Sequence, residues 1–264
     1  AAKLAIGYTL DELKNEITGE TYAAFEPSID YVVTKVPRFD FEKFPTSDGI
    51  LGVQMQSVGE VMAIGRTFRE SLQKAFRSLE VGLIGLDPKK TDNRPLDLSK
   101  MRFATAFRLL KIKEAFDKNF SIDDVFNQTN IDKWFLNQIK IISDISKASH
   151  ELNKETILKL KQEGFSDAQI AKMFEVHEDE IREKRKDFGV LPTYKVVDTC
   201  AAEFIAKTPY CYSTYETENE ITPIKGKKVI ILGGGPNRIG QGIEFDYCCV
   251  QAVFGLKEMG YKAI

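Results

Sequence analysis

The feature that most constrains the fold of this 264-residue chain is a glycine-rich loop that directly follows a short apolar segment. Residues 227–232 read Lys-Lys-Val-Ile-Ile-Leu, and residues 233–242 read Gly-Gly-Gly-Pro-Asn-Arg-Ile-Gly-Gln-Gly. Apolar residues then recur at helical spacing as far as Gly260, and residues 261–264 resemble the start of another strand. This order of strand, loop and helix predicts the front half of a β-α-β unit with parallel strands.

The same loop is the strongest candidate site. Glycines let backbone N–H groups approach an anion, and the helix that follows adds the positive end of its dipole. The loop fits neither the Walker pattern, which needs Lys where Gln241 stands, nor the G-x-G-x-x-G dinucleotide pattern. Two interpretations stay open: a loop that binds an anion, and a loop kept small so that strand and helix pack closely. The candidate loop residues are Gly233, Gly234, Gly235, Asn237, Gly240 and Gly242, with Arg238 as the cation.

A parallel strand pair without further strands is not stable alone, because both edges and one face stay uncovered. We therefore expect residues 216–264 to be an incomplete α/β unit, and the chain to be a piece of a longer polypeptide.

The middle of the chain carries repeated signals for helix starts. Thr67, Ser121 and Ser166 are each followed three residues later by a Glu, Asp or Gln, which is the capping-box pattern. Apolar residues at helical spacing follow each of them, so residues 66–215 are predicted to form a compact all-helical domain. The fold class is therefore mostly α, with a mixed segment on either side.

The first 65 residues mix two kinds of signal. Thr9 and Glu12 form another capping-box pattern and predict a helix as far as Ile17. Residues 31–36 are rich in β-branched residues and predict a strand that ends at Pro37.

Residues 164–189 have the pattern of a helix-turn-helix, which raises the possibility of DNA binding. Three acidic residues begin the second helix, at positions 178–180, where they would face phosphates. Lys plus Arg number 37 and Asp plus Glu number 39, so the chain has no cationic excess for a nucleic acid. Packing between helices is the favoured interpretation, with no nucleic-acid partner.

Cysteine and histidine usage gives no support for a metal site. The four cysteines lack a C-x-x-C spacing, and the two histidines are far from them in sequence, so we expect reduced, mostly buried thiols. The sequence also has no signal peptide and no run of about 18 apolar residues. We expect a soluble, cytoplasmic protein without a membrane partner.

Three stretches resemble the large chain of carbamoyl phosphate synthetase. Residues 233–250, from the glycine loop through Cys248-Cys249-Val250, resemble the opening of the family's second synthetase half. Residues 25–39 and 56–72 resemble the end of its first ATP-grasp half.

The resemblance implies a layout in three parts. Residues 1–65 would be the C-terminal part of the first, carboxyphosphate-forming ATP-grasp half, and residues 66–215 the helical oligomerisation domain. Residues 216–264 would begin the second, carbamoyl-phosphate-forming half with its Rossmann-like segment before the ATP-grasp fold. The parent enzyme would use ATP, Mg²⁺ or Mn²⁺, K⁺ and bicarbonate. A glutamine amidotransferase small chain would supply its ammonia, and the product would serve pyrimidine and arginine synthesis.

The resemblance also implies roles for three residues. Arg238 and Glu244 match loop positions associated with a passage for carbamate, and Glu42 would line the same route on the first side. The alternative for Arg238 and Glu244 is a simple ion pair at the helix start. We see no catalytic residue, no metal-holding acidic pair and no adenine-binding segment. The isolated chain is therefore expected to be inactive, to bind no cofactor and to form homo-oligomers through its helical domain. A different possibility is a free-standing helical interaction module with a terminal phosphate-binding loop.

Overall fold

The computed structural model describes residues 1–16, 19, 21–25, 29–88, 96–198, 210–236 and 244–264. The described helices are α1 (Ala2–Ala5), α2 (Phe68–Ser78), α3 (Arg108–Asp117), α4 (Ile122–Thr129), α5 (Lys133–Lys147), α6 (Lys154–Gln162), α7 (Asp167–Met173), α8 (Glu178–Asp187) and α9 (Glu244–Glu258). The described strands are β1 (Val32–Arg38), β2 (Gly59–Gly65), β3 (Thr193–Val196), β4 (Cys211–Thr214), β5 (Lys228–Val229) and β6 (Lys262–Ala263). Short 3-10 turns occupy Phe41–Lys43 and Leu98–Arg102.

The described part of the chain is rich in helices and contains three two-stranded sheets. β1 and β2 are antiparallel, with Val32 opposite Gly65 and Arg38 opposite Gly59. β3 and β4 are antiparallel, and β5 and β6 are parallel. The expectation of a helix-rich chain is therefore confirmed, and the three small sheets make the described part a mixed α/β structure.

Helices α2 to α8 share one hydrophobic core. Its largest fully buried side chains include Phe76, Phe116, Phe165, Ile139, Ile142 and Ile170. The predicted helix starts are confirmed: the side chains of Thr67, Ser121 and Ser166 each accept a hydrogen bond from the backbone N–H three residues later. These starts are local hydrogen-bond patterns, and the amphipathic sequence that follows each one supplies burial.

The predicted helix at residues 9–17 is wrong over its described part, residues 9–16. Thr9 and Glu12 do form the expected hydrogen bonds, with Thr9 N donating to Glu12 Oε2 at 2.9 Å. Only turns follow, because Leu10 stays 49% exposed and no apolar face is buried. A capping box without tertiary burial does not hold a helix.

The predicted strand at residues 31–36 exists, but it runs through Pro37 to Arg38. Pro37 lies opposite Glu60 in the register of β1 and β2. β1 is an edge strand in this two-stranded sheet, and an edge strand tolerates a residue that cannot donate a hydrogen bond.

The all-helical expectation for residues 66–215 is wrong at its C-terminal end, where β3 and β4 pair. Their patterns alternate: Tyr212 and Thr214 are buried, whereas Cys211 and Ser213 are exposed. β4 also lies against β2, and the Thr214 hydroxyl donates to Glu70 Oε2 on α2 at 3.2 Å. This sheet therefore packs the end of the middle segment onto its beginning.

The helix-turn-helix segment consists of α7 and α8 packed against each other, with Ile181 buried completely. On the exposed face of α8, Arg182 pairs with Glu178 and Asp179 at 3.2 and 3.1 Å. The geometry favours packing between helices, because this arginine is engaged by acids of its own helix.

The cysteines depart from expectation. Cys211 and Cys248 are exposed and Cys249 is partly buried, all three as free thiols, and Cys200 lies outside the described residues. Cys211 falls on the outward positions of β4, and Cys248 lies on a helix that has no buried residue among those described. Within the described ranges, no helix is both long and apolar enough to cross a bilayer.

Candidate functional site

The glycine loop follows β5, in the β-α-β arrangement that the sequence predicts. β5 and β6 pair in parallel, with Val229 opposite Ala263, and the N–H of Ile264 donates to the carbonyl of Val229 at 3.0 Å. α9 connects the two strands. Ile230 and Leu232 are 66% and 86% exposed, which matches the uncovered sheet expected of an incomplete unit.

Gly235 makes the closest approach of this loop to the rest of the protein. Its φ of 72° lies in the left-handed region, which favours glycine. A β-carbon at this position would lie 2.8 Å from Cδ and from Oε1 of Glu80. At Gly233, by contrast, an added β-carbon would meet nothing within 4 Å. Gly235 therefore favours glycine for its left-handed backbone, and a β-carbon there would force the Glu80 carboxylate to move.

Glu80 is itself in a left-handed conformation, with φ of 53°. It follows Leu79, the C-cap of α2, in the place where helices usually carry glycine. A side chain in this conformation costs roughly 1 kcal/mol. The strained backbone places the Glu80 carboxylate next to Gly235.

A buried ion pair lies at the same end of α2. Arg38 and Asp40 have side chains 7% and 0% exposed, and Arg38 Nη2 lies 2.9 Å from Asp40 Oδ1. Arg38 Nη1 also donates to the carbonyl of Leu79 at 3.1 Å. Its Nη2 reaches Glu42 Oε1 at 3.5 Å, although the Glu42 side chain is 62% exposed. Arg38 thus ties Glu42 to the residue that precedes Glu80.

Two sequence-predicted parts of the site, Glu42 and the glycine loop, are therefore joined through the C-terminal end of α2. Gly233, Gly234 and Gly235 are described, and all three are exposed. The remaining candidates, Asn237, Arg238, Gly240 and Gly242, lie outside the described residues, as does the side chain of Glu244. Both interpretations of Arg238 and Glu244, the carbamate passage and the ion pair, therefore concern side chains outside the described part.

Sequence reasoning missed Arg38, Asp40 and Glu80. Arg38 and Asp40 stand two residues apart at the end of a strand, a spacing that could have signalled an ion pair. Nothing local marks Glu80, since its partner Gly235 is far away along the chain. In the described part of the chain, no group of three His, Cys, Asp or Glu side chains is arranged to hold a metal ion.

Comparison with known proteins gives two family matches and a set of close relatives. The family model described as "Carbamoyl-phosphate synthetase large chain, oligomerisation domain" matches residues 60–189, and "Carbamoyl phosphate synthase preATP-grasp domain" matches residues 225–264. The carbamoyl phosphate synthase large chains of Archaeoglobus fulgidus and Pseudomonas aeruginosa are 53% and 55% identical, each over 100% of this chain and 26% of its own length. The chain belongs to the carbamoyl-phosphate synthetase large-chain family.

The carbamoyl-phosphate synthetase relatives include an "arginine-specific large chain, chloroplastic" of Arabidopsis thaliana, which is 52% identical over 100% of this chain. The chain spans only about a quarter of the length of the relatives it matches. Since those relatives carry this region as part of a longer chain, a free-standing interaction module is not favoured.

Proposed function

We propose that this chain is the central part of a carbamoyl phosphate synthase large chain. Residues 1–65 end the carboxyphosphate-forming ATP-grasp half, residues 66–215 form the oligomerisation domain, and residues 216–264 begin the carbamoyl-phosphate-forming half. The support is the order of the two family matches, 60–189 and then 225–264. The parallel pairing of β5 with β6 around α9 gives the same support from geometry.

The parent enzyme would make carbamoyl phosphate from bicarbonate, glutamine-derived ammonia and two ATP, for pyrimidine and arginine synthesis. It would use Mg²⁺ or Mn²⁺ and K⁺, and a glutamine amidotransferase small chain as partner, in the cytoplasm. The described residues of this chain hold no cluster suited to the metal ions. Their contribution is therefore to position the two halves and to exclude water.

Carboxyphosphate and carbamate decompose in water, so a route between two synthetase sites needs closed walls. The junction at the end of α2 supplies such a wall. Arg38 donates a hydrogen bond to the carbonyl of Leu79 and also contacts Glu42, and the Glu80 carboxylate lies next to Gly235. The family resemblance assigns Arg238 and Glu244 to the same passage, with Arg238 as the cation for anionic carbamate.

The contact between Gly235 and Glu80 carries this proposal and allows a direct test. In the full-length large chain, Gly235→Ala should strain the loop and shift the Glu80 carboxylate, because residue 235 has a φ of 72° and the new β-carbon would lie 2.8 Å from that carboxylate. We expect bicarbonate-dependent ATP hydrolysis to persist while carbamoyl phosphate formation falls, so that more ATP is consumed for each product molecule. Gly233→Ala is the matched control, since its β-carbon meets nothing within 4 Å.

A Gly235→Ala enzyme with an unchanged ratio of ATP consumed to carbamoyl phosphate formed would refute the wall. A second assay tests the assignment of this chain as one part of a longer enzyme. The isolated 264-residue chain should form no carbamoyl phosphate from ATP, bicarbonate and ammonia, and detected turnover would contradict that assignment.

An exposed aromatic cluster on the helical segment is the proposed self-association surface. It consists of Phe68, Trp134 and Phe135, whose ring centroids lie 5.0 to 5.5 Å apart. Trp134 and Phe135 remain 53% and 44% exposed at the start of α5. Because the family model names this region an oligomerisation domain, a second copy of the chain is the occupant we assign to the cluster.

Sedimentation of the chain should show association that weakens when Trp134 is changed to Lys. Leu191→Lys is the control, because Leu191 is an equally exposed apolar residue, at 57%, outside the cluster. If the unmodified chain stays monomeric at high concentration, the aromatic cluster is not the interface. The same follows if Trp134→Lys and Leu191→Lys associate to the same extent.

A further inference from the structure

A small cavity lies between α2, the residues that follow α6, and strands β3 and β4. Its volume is about 210 Å³, and Arg77, Lys161 and Tyr215 are among its lining residues. That volume would hold about seven water molecules at about 30 Å³ each. The cavity is open to solvent, since one of its lining residues, Tyr194, is 46% exposed.

Positive charge exceeds negative charge around this cavity. The basic residues in and directly behind its wall are Lys74, Arg77, Lys161 and Arg185. The acidic ones are Glu70 and Asp167, and both are already engaged. Glu70 Oε1 pairs with Lys74 Nζ at 2.7 Å, and Asp167 pairs with both Lys161 and Arg185, at 2.9 and 3.1 Å. Two positive charges remain without a matching carboxylate in the described part of the chain.

Arg77 is the clearest case. Its Nη1 donates to the carbonyl of Gly164 at 2.6 Å, and it makes no ion pair with any described residue. A guanidinium has five N–H donors, so this cavity-lining side chain has further donors with no partner among the described residues. Burial lowers the pKa of Arg77, which reflects the cost of an uncompensated charge at this depth.

Lys161 is the second cation with spare donors. Its side chain is 9% exposed, and its Nζ makes one hydrogen bond, to Asp167 Oδ1. The ring of Tyr215 lies beneath the ammonium, with the centroid 5.2 Å from Nζ. Burial lowers the pKa of Lys161 to about 8, and the nearby Arg77 and Arg185 add to that effect.

We propose that this cavity is a binding site for a small oxyanion of the phosphate or sulfate class, held between Arg77 and Lys161. A tetrahedral oxyanion accepts several charge-assisted hydrogen bonds at once, which is the chemistry that these spare N–H groups offer. It would also offset the surplus of positive charge around the cavity. The volume fits the ion with a few water molecules rather than a whole nucleotide.

Titration of the 264-residue chain with inorganic phosphate, followed by calorimetry and ³¹P line broadening, tests the site. Arg77→Met should weaken binding by about tenfold or more, the loss expected for a charge-assisted hydrogen bond. Lys172→Met is the control, since Lys172 is an exposed lysine that pairs with Asp87 outside this cavity. The phosphate affinity of Lys172→Met should stay within about twofold of that of the unmodified chain. Melting without phosphate checks that Arg77→Met still folds.

The pH dependence of sulfate binding gives an independent readout, because sulfate does not change its charge in this range. The groups that face Lys161 are Arg77 on α2, Asp167 on α7, Arg185 on α8 and Tyr215 after β4. Sulfate affinity should fall as pH rises past about 8, and Lys161→Met should remove that fall.

Three results would overturn the proposal. They are equal phosphate affinity in Arg77→Met and the unmodified chain, a pH-independent sulfate affinity, and tighter binding of adenosine monophosphate than of phosphate through the same residues.

Discussion

At the scale of single residues, the ion pair of Arg38 and Asp40 carries most weight, because neither charge can reach water. Removal of Arg38 takes a charged partner away from the buried Asp40 carboxylate, which costs about 3–5 kcal/mol. We expect Arg38→Met to lower the free energy of unfolding by this amount in urea denaturation. Glu42→Gln, which alters only an exposed partner of the same arginine, should change it by less than about 1 kcal/mol. Equal effects of the two changes would contradict the assignment.

The left-handed Glu80 allows a second residue-scale prediction. Glu175 has a similar φ of 55°, follows the C-cap of α7 and is exposed, so it is a natural control. Glycine at either position relieves up to about 1 kcal/mol of backbone strain. Only Glu80→Gly also removes the carboxylate that lies against Gly235. Urea denaturation should therefore show Glu80→Gly to be less stable than Glu175→Gly, and identical stabilities would mean that the carboxylate contact contributes nothing.

At the scale of secondary-structure elements, the two capping boxes at Ser121 and Ser166 form a matched pair. Each serine caps its helix through the N–H three residues later. Ser166 also donates its hydroxyl to the carbonyl of Ile84 at 2.8 Å. Ser121→Ala should cost about 1 kcal/mol of folding free energy, and Ser166→Ala about 1 kcal/mol more, as measured by thermal and urea unfolding. If Ser121→Ala proves the more costly, the tertiary hydrogen bond is not contributing.

The element scale also shows what sequence can and cannot predict. Helices α2, α4 and α7 were predictable because a capping residue and an apolar face both lie within a dozen residues. The segment after Thr9 has the first signal without the second, and it forms turns. β3 and β4 were missed because each has four residues and depends on a partner far along the chain.

The candidate site divides in the same way. The glycine loop and its β-α-β setting follow from local sequence, since glycine at Gly235 reflects a backbone conformation. The junction of Arg38, Leu79 and Glu80 depends on contacts between distant segments, and no local pattern encodes them. The surplus of positive charge near Arg77 could not be predicted either, because the basic and acidic residues around the cavity come from separate helices.

At the scale of the whole molecule, the last segment is poorly protected compared with the helical segment. In α9 every residue with a described side chain is exposed or only partly buried, whereas Tyr212 and Thr214 of β4 are buried. Glu220 is still held, because its N–H donates to the carbonyl of Tyr194 and its carboxylate pairs with Lys195. Limited trypsin treatment should therefore cut first at Lys225, Lys227 or Lys228, beyond Glu220 and somewhat later than the position near residue 213 expected from sequence. A last segment that outlasts the helices would refute this order.

The stability of the whole chain should rise with pH between about 8 and 9.5. The pKa of Lys161 is about 8 in the folded protein and 10.5 in the unfolded chain, so in this window only the unfolded state holds the proton. The gain is about 2 kcal/mol at pH 9.5. Above pH 10 the burial-raised pKa of Tyr215 acts in the opposite direction, because the folded protein then retains a proton that the unfolded chain loses.

Urea denaturation across this pH range, at low salt and without phosphate, measures the effect. Lys161→Met should flatten the rise, and Lys172→Met should keep it. A flat profile for the unmodified chain would show that Lys161 titrates normally in the folded protein.

Contacts at both ends of helix α2 limit how this region can change in length. It spans about 16 Å, with Thr67 at one end next to β2 and Glu80 just past the other, beneath Gly235. One residue inserted into or deleted from it would rotate everything downstream by about 100°. Arg77 would then leave its cavity and Glu80 would swing away from the glycine loop. Natural variants of α2 should consequently differ by substitution on its outward side, and insertions or deletions should be confined to the connecting segments.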